Sequence, residues 1–183
     1  MGEDNPAQYI EIDVLVEAGD WLGYLPSAQD IGLSAAAASL SDVGVKTPSG
    51  QEVELSILLT DNTTIAELNG QWRGKSGPTN VLSFSTEPNA HMPGSSPTGA
   101  PVLLGDVAIA FETLMAEAHA TGVAPEDHLR HLVVHGVLHL CGYDHENDAD
   151  ADRMESREID ILETLGVSNP YAAAELRPEA AQQ

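Results

Sequence analysis

The chain has 183 residues, 42% of them hydrophobic, enough to bury one proper core and most simply read as one domain. Its 7 basic residues against 29 acidic ones leave a net charge of −22, which taken alone argues against nucleic acid, because phosphate contacts need Lys and Arg to displace counterions. The single cysteine, Cys141, excludes a disulfide framework, and with neither a signal-like start nor an apolar run near 18 residues the expectation is a soluble, cytoplasmic protein without a membrane partner.

Residues 9–16 alternate, with Ile10, Ile12, Val14 and Val16 on one face, and predict a half-buried strand. The alanine-rich stretch 31–40 reads as a helix. Residues 52–60 alternate again, with Val53, Leu55, Ile57 and Leu59 inward. Thr64-Ile-Ala-Glu67 has the form of a capping box and predicts a short helix running to about Trp72. A short strand is expected at 81–84. Residues 88–101 hold Pro, Gly and Ser without periodicity and predict a mobile surface loop. A strand at 102–110 and a helix at 111–120 follow. Pro125 suits the first turn of a helix, where its missing N–H costs nothing, and Glu126 and Asp127 suit the positive end of the helix dipole. Residues 148–165 form a last amphipathic helix, with Met154, Ile161, Leu162 and Leu165 apolar, stopped at Gly166; the tail 172–183 is expected to fray. The whole is one α+β domain over 1–171: a small mixed sheet with helices around it and the helix after Pro125 at its centre.

That central helix carries the chemistry, in the run His135-Gly-Val-Leu-His139-Leu-Cys-Gly-Tyr-Asp-His145. A four-residue helical step turns about 400°, so His135 and His139 leave one face. Gly142 stands where a C-cap glycine turns the chain, which can return His145 toward them. Three neutral nitrogens with a fourth position free for water describe a catalytic zinc site rather than a structural one, one Zn2+ per chain. A lone histidine is more often an ordinary packed or surface residue, but five of the seven histidines fall between His128 and His145. His131 and His128, one and two turns upstream, are assigned packing or supporting hydrogen bonds.

The spacing resembles that of the zincin peptidases, whose His-Glu-x-x-His motif supplies a general base at its second position. Here Gly136 stands in that place, so a protease would need a carboxylate from elsewhere, such as Glu112, Glu117 or Glu126. Between Lys46 and Arg130 the basic residues are Arg73 and Lys75, flanking Gly74. They read equally as a local phosphate clamp or as two solvated surface charges. Any RNA affinity is expected to be modest and salt-sensitive, and to lean on a partner protein.

With these segments in view, the chain resembles the YbeY family of bacterial zinc-dependent endoribonucleases that mature ribosomal RNA. The histidine run carries the resemblance, ending in Gly142-Tyr-Asp-His145. It is joined by Leu68-Asn69 with Trp72-Arg73-Gly74-Lys75, then Thr79-Asn80-Val81-Leu82-Ser83-Phe84, Leu104-Gly105-Asp106, and Glu155-x-x-Glu158 through Leu165-Gly166 to Pro170-Tyr171, over roughly residues 50 to 171. Family members commonly carry Asp where Asn80 stands, and Asn80 is assigned a turn or strand-start role. The stretch 88–100 and the helical segment before Lys46 are not aligned in detail. The resemblance implies that His135, His139 and His145 hold zinc and that Arg73 is the catalytic cation, with Lys75 a weaker substrate contact. A metal-activated water is the first choice for attack. Asp144 is a weaker proton acceptor, or a brace accepting a ligand's ring N–H.

The resemblance further implies single-strand cleavage at the 3′ end of small-subunit ribosomal RNA, a part in ribosome quality control, and association with the small ribosomal subunit, one of its proteins and an assembly GTPase. Two rival readings remain: a zinc hydrolase of peptides or small molecules, and a non-nucleolytic assembly factor with structural zinc, which the strong negative charge favours.

Overall fold

The computed structural model describes residues 9–45, 51–86 and 101–172. The expected loop at 88–101 and the expected frayed tail fall almost wholly outside the described residues.

Four strands form one mixed sheet in the order β1-β2-β4-β3: β1 (Ile10–Val16), β2 (Val53–Thr60), β3 (Val81–Ser85) and β4 (Val102–Ala110). β1 and β4 run parallel to β2 on either side, and β3 closes the far edge antiparallel to β4. The alternation of β2 decides which face is covered: Val53, Leu55, Ile57 and Leu59 are buried, and the intervening residues are half-buried. On β4, Val107 and Ile109 join that inner face, while Ala108 and Ala110 turn to a smaller cluster with Ile65 and Leu82 on the other side.

Helices cover both faces. On the inner face lie α2 (Ala28–Val43), α5 (Pro125–Leu140), α4 (Phe111–Thr121) and α6 (Asp148–Thr164), and α3 (Asn62–Arg73) supplies the lid of the smaller cluster. A single turn, α1 (Trp21–Tyr24), was not foreseen. It is too short for periodicity and is held by distant partners: the Trp21 indole N–H donates to the Thr60 carbonyl at 3.0 Å, and its ring meets Phe111 edge-on at 5.3 Å. α2 extends the alanine-rich stretch by a turn at its start. α3 begins earlier than the Thr64–Glu67 capping box would have it, because the Asp61 carboxylate takes the Thr64 amide at 2.8 Å and becomes the N-cap instead.

α5 is the central element. Leu129, Leu132, Val133, Val134, Val137, Leu138 and Leu140 are all buried, with Pro125 in its first turn as expected. It lies so close to the sheet that a Cβ on Gly136 would stand 2.6 Å from Val107 Cγ1. Across the sheet, β4 takes a bulge opposite Glu54 and Leu55. Gly105 follows with φ +133°, and a Cβ there would fall 2.1 Å from the Phe84 carbonyl oxygen. Both the backbone angle and the space admit glycine alone.

Gly105→Ala is therefore expected to destabilise the fold by about 3 kcal/mol or more, combining backbone strain with displacement of β3. Urea unfolding measures it; a loss below about 1 kcal/mol would show that β3 does not depend on this close approach.

Candidate metal centre

α5 and its exit turn form one unit. The Gly142 amide donates to the His139 carbonyl at 2.9 Å and the Tyr143 amide to the Leu138 carbonyl at 3.0 Å, with Cys141 as the cap. This paired closure requires a left-handed residue, which Gly142 provides at φ +84°. The chain folds back over the last turn and brings His145 to His135 and His139. Ring centroids lie 4.6 Å apart for His135 and His139, 4.9 Å for His139 and His145, and 5.5 Å for His135 and His145. One ligand atom from each residue lies within 4.8 Å of the other two.

Hydrogen-bond partners fix the ring orientations. His135 donates from Nδ1 to Glu158 Oε1 at 2.8 Å, and His139 donates from Nδ1 to the Tyr143 carbonyl at 3.0 Å. Each ring then presents Nε2 as a lone pair, and these two atoms stand 3.1 Å apart. Lone pairs that close repel unless a cation lies between them. Two nitrogens bound to a tetrahedral zinc at about 2.0–2.1 Å stand about 3.3–3.4 Å from each other, so the donor set fits that ion. Burial, followed by the neighbouring His135 and His145, pushes His139 down to about 4, which keeps it neutral at pH 7, the form that can accept a metal ion.

Behind the ligands lies Glu158 of α6, only 1% exposed. It accepts from His135 Nδ1 and from His131 Nε2, each at 2.8 Å, and from the Tyr171 hydroxyl. Burial pushes its carboxyl up, but the hydrogen bonds from the two histidines and the tyrosine outweigh that and hold it at about 2. Burial and the contact with Glu158 push the Tyr171 hydroxyl up. His131 thus has a supporting role, and so does His128, whose Nε2 stands 2.8 Å from Glu117 Oε2. Asp144 accepts the His145 backbone amide at 2.7 Å and braces the exit loop. Among the described residues, the carboxylate on a ligand's ring N–H is Glu158.

Sequence reasoning assigned no role to Glu158, Tyr171 or the Tyr143 carbonyl. Glu158 left a signal: it sits at helical spacing within the apolar stripe of Met154, Ile161 and Leu162, where a carboxylate must have partners to stay charged.

Arg73 and Lys75 share a cavity of about 250 Å³ with the three histidines, along with Asn69, Asn80 and Ser83. Arg73 donates from Nη2 to the Ser83 carbonyl at 3.2 Å, and the Ser83 hydroxyl donates to the Gly136 carbonyl at 3.1 Å. One strand residue thus links the arginine to the ligand helix. Asn80 closes the turn into β3: its Oδ1 accepts the Val81 amide at 2.7 Å, and its Nδ2 donates to Glu117 at 3.0 Å. The other cations among the described residues are paired: Arg130 with Asp127, Arg153 with Asp150, Arg157 with Asp42. Among the described residues, Arg73 and Lys75 are the two Lys or Arg side chains without a carboxylate partner, and both line the histidine cavity. The contact between Gly136 and Val107 also explains the missing peptidase glutamate, because the helix packs on β4 where that side chain would begin. No helix among the described residues is long and apolar enough to cross a membrane.

The family model described as Endoribonuclease YbeY matches residues 32–166. Similar proteins include the Endoribonuclease YbeY of Azorhizobium caulinodans, 49% identical over 89% of this chain and 97% of its own length. That of Paramagnetospirillum magneticum is 48% identical over 88% of this chain and 96% of its own length. A Thermotoga maritima protein solved in solution shares the fold, with a TM-score of 0.53 and 23% identity over 94% of this chain and 97% of its own.

Two outcomes follow from the geometry. Glu158→Gln should weaken zinc binding by about 10- to 100-fold in a chelator competition titration, with the far-UV spectrum retained; unchanged affinity would remove Glu158 from the site's support. The metal-free protein should also lose stability as pH falls from 6.5 toward 4. A lowered folded-state pKa for His139 means that the unfolded chain binds the proton first, so the stabilisation is present above the unfolded value and lost below it. Glu158, lowered from 4.5 to about 2, extends the loss to more acid pH. Urea midpoints of the chelated protein across this range check it, and a flat profile from pH 7 to 4 would contradict it.

Proposed function

The chain belongs to the Endoribonuclease YbeY family, and from that premise we propose that it is a zinc-dependent endoribonuclease acting on single-stranded ribosomal RNA. The observation that carries the reading is the placement of the two described cations without carboxylate partners in one cavity with three convergent histidines. On a protein of charge −22, cations left unpaired beside a metal-binding donor set suit an anionic substrate.

His135, His139 and His145 would hold the ion, oriented by Glu158, the Tyr143 carbonyl and the exit turn. When bound, zinc supplies Lewis acidity at a phosphoryl oxygen and lowers the pKa of a water. The chain's own contribution is position and charge. As a phosphodiester approaches its transition state, negative charge gathers on the nonbridging oxygens. The Arg73 guanidinium can grip two of these at once, which an ammonium cannot, and Lys75 adds a second positive charge at the rim. The tether from Arg73 to the Ser83 carbonyl fixes the approach of the guanidinium relative to the histidine helix. Asp144 is assigned to the exit loop, with any proton-accepting role secondary.

The resemblance extends this proposal to the 3′ end of the small-subunit RNA, to the small ribosomal subunit with one of its proteins and an assembly GTPase as partners, and to the cytoplasm. The peptidase alternative is disfavoured by the lack of room for a side chain at Gly136. The assembly-factor alternative, with its structural zinc, is disfavoured by a donor set of three among the described residues, since structural sites usually close with four.

Arg73→Ala should fold and retain one zinc per chain while kcat/KM for RNA falls by about 100- to 1,000-fold. His139→Ala should lose the zinc itself. Full cleavage by Arg73→Ala would remove the arginine from the reaction, and metal retained at one per chain in His139→Ala would break the ligand set.

A further inference from the structure

The two tryptophans of the chain are placed in opposite ways. Trp21 is fully buried and hydrogen-bonded to the Thr60 carbonyl. Trp72, on the last turn of α3, leaves 66% of its surface in solvent and meets Phe84 edge-on at 6.2 Å. Its place along the chain matters as much as its exposure. Trp72 directly precedes Arg73, and Phe84 directly follows Ser83, the residue whose carbonyl holds the guanidinium. Neither Trp72 nor Phe84 lines the cavity that holds Arg73, Lys75 and the histidines, but each is the chain neighbour of a residue, Arg73 or Ser83, that does.

We propose that Trp72 is a stacking platform for a base of the single-stranded RNA whose phosphate lies at Arg73. The proposal rests on the endoribonuclease reading and deepens it. Two cations give little electrostatic hold: at about 0.7 per contact, the log–log salt slope for a single strand reaches only about −1.4. A strand held that weakly by charge, on a chain of net charge −22, needs another source of affinity. An aromatic face provides it without regard to sequence, because every base has a π surface. The edge contact with Phe84 restricts the indole and leaves most of it accessible. Bases inside a duplex are already stacked on one another, so the platform also gives a physical source for preferring single strands.

The test compares wild-type, Trp72→Ala and Trp72→Tyr proteins, each zinc-loaded, on a single-stranded oligoribonucleotide. Trp72→Ala is expected to raise KM about tenfold or more with kcat changed by less than about threefold and the melting temperature unmoved, and Trp72→Tyr to recover most of the KM. Rapid mixing of wild type with the oligonucleotide should quench indole emission; Trp21 is sealed from solvent, so the change reports Trp72. Wild-type cleavage with an unchanged KM in Trp72→Ala, or with no quenching, would overturn the stacking role and leave the exposed indole to a protein contact. A wild-type protein that neither cleaves nor is quenched would remove the endoribonuclease reading and the platform with it.

Discussion

Glu158 is the constraint on which the site depends. A carboxylate that is 1% exposed and still ionised must be held by donors on every accessible lone pair, and this one is held by His131, His135 and Tyr171. The bonds run from α6 and the segment beyond it to two successive turns of α5. They fix the docking of the last helix and, in the same stroke, the tautomer of His135. With Nδ1 committed to the carboxylate, Nε2 faces His139 at 3.1 Å. A rearrangement of α6 would therefore turn a ligand as well as open the core.

The sheet side of the site is set by close approach rather than by charge. Gly136 lets α5 sit directly on Val107, and the Ser83 hydroxyl spans from β3 to the Gly136 carbonyl. β3 is itself held tight to β4 at Gly105. The chain of contacts from β4 through β3 to α5 brings the end of α3, with Arg73, to the histidines. The packing of Gly136 leaves no space for a peptidase glutamate, and the Arg73 guanidinium, tethered to the Ser83 carbonyl, lines the cavity with the three histidines.

Much of this was legible from residues close together in sequence. The ligand triad was, because a four-residue step and a glycine cap are local geometry. So were the alternation of β2 and the start of α5 at Pro125. The partners of those ligands were harder to read. Glu158 lies 23 residues beyond His135, and its signals were its place in an apolar stripe and among the residues that carry the family resemblance, neither of which pointed to His135. Asp144 looked like the brace by proximity along the chain, but its carboxylate turns to the backbone amide of its neighbour. The start of α3 was read from the Thr64–Glu67 box, but the Asp61 carboxylate accepts the Thr64 amide and caps the helix three residues earlier. The turn at Trp21 depends on Thr60 and Phe111, which no local pattern announces. The bulge before Gly105 was hidden inside an apolar run that read as continuous strand.

The proposed function requires that the three histidines hold a single ion on which RNA cleavage depends. The most direct measurement is cleavage of a ribosomal RNA precursor by chelator-stripped protein during titration with zinc. No cleavage is expected without metal, and activity should rise linearly to a plateau at one equivalent per chain. Full cleavage by the stripped protein, or a plateau reached with no dependence on added zinc, would contradict it.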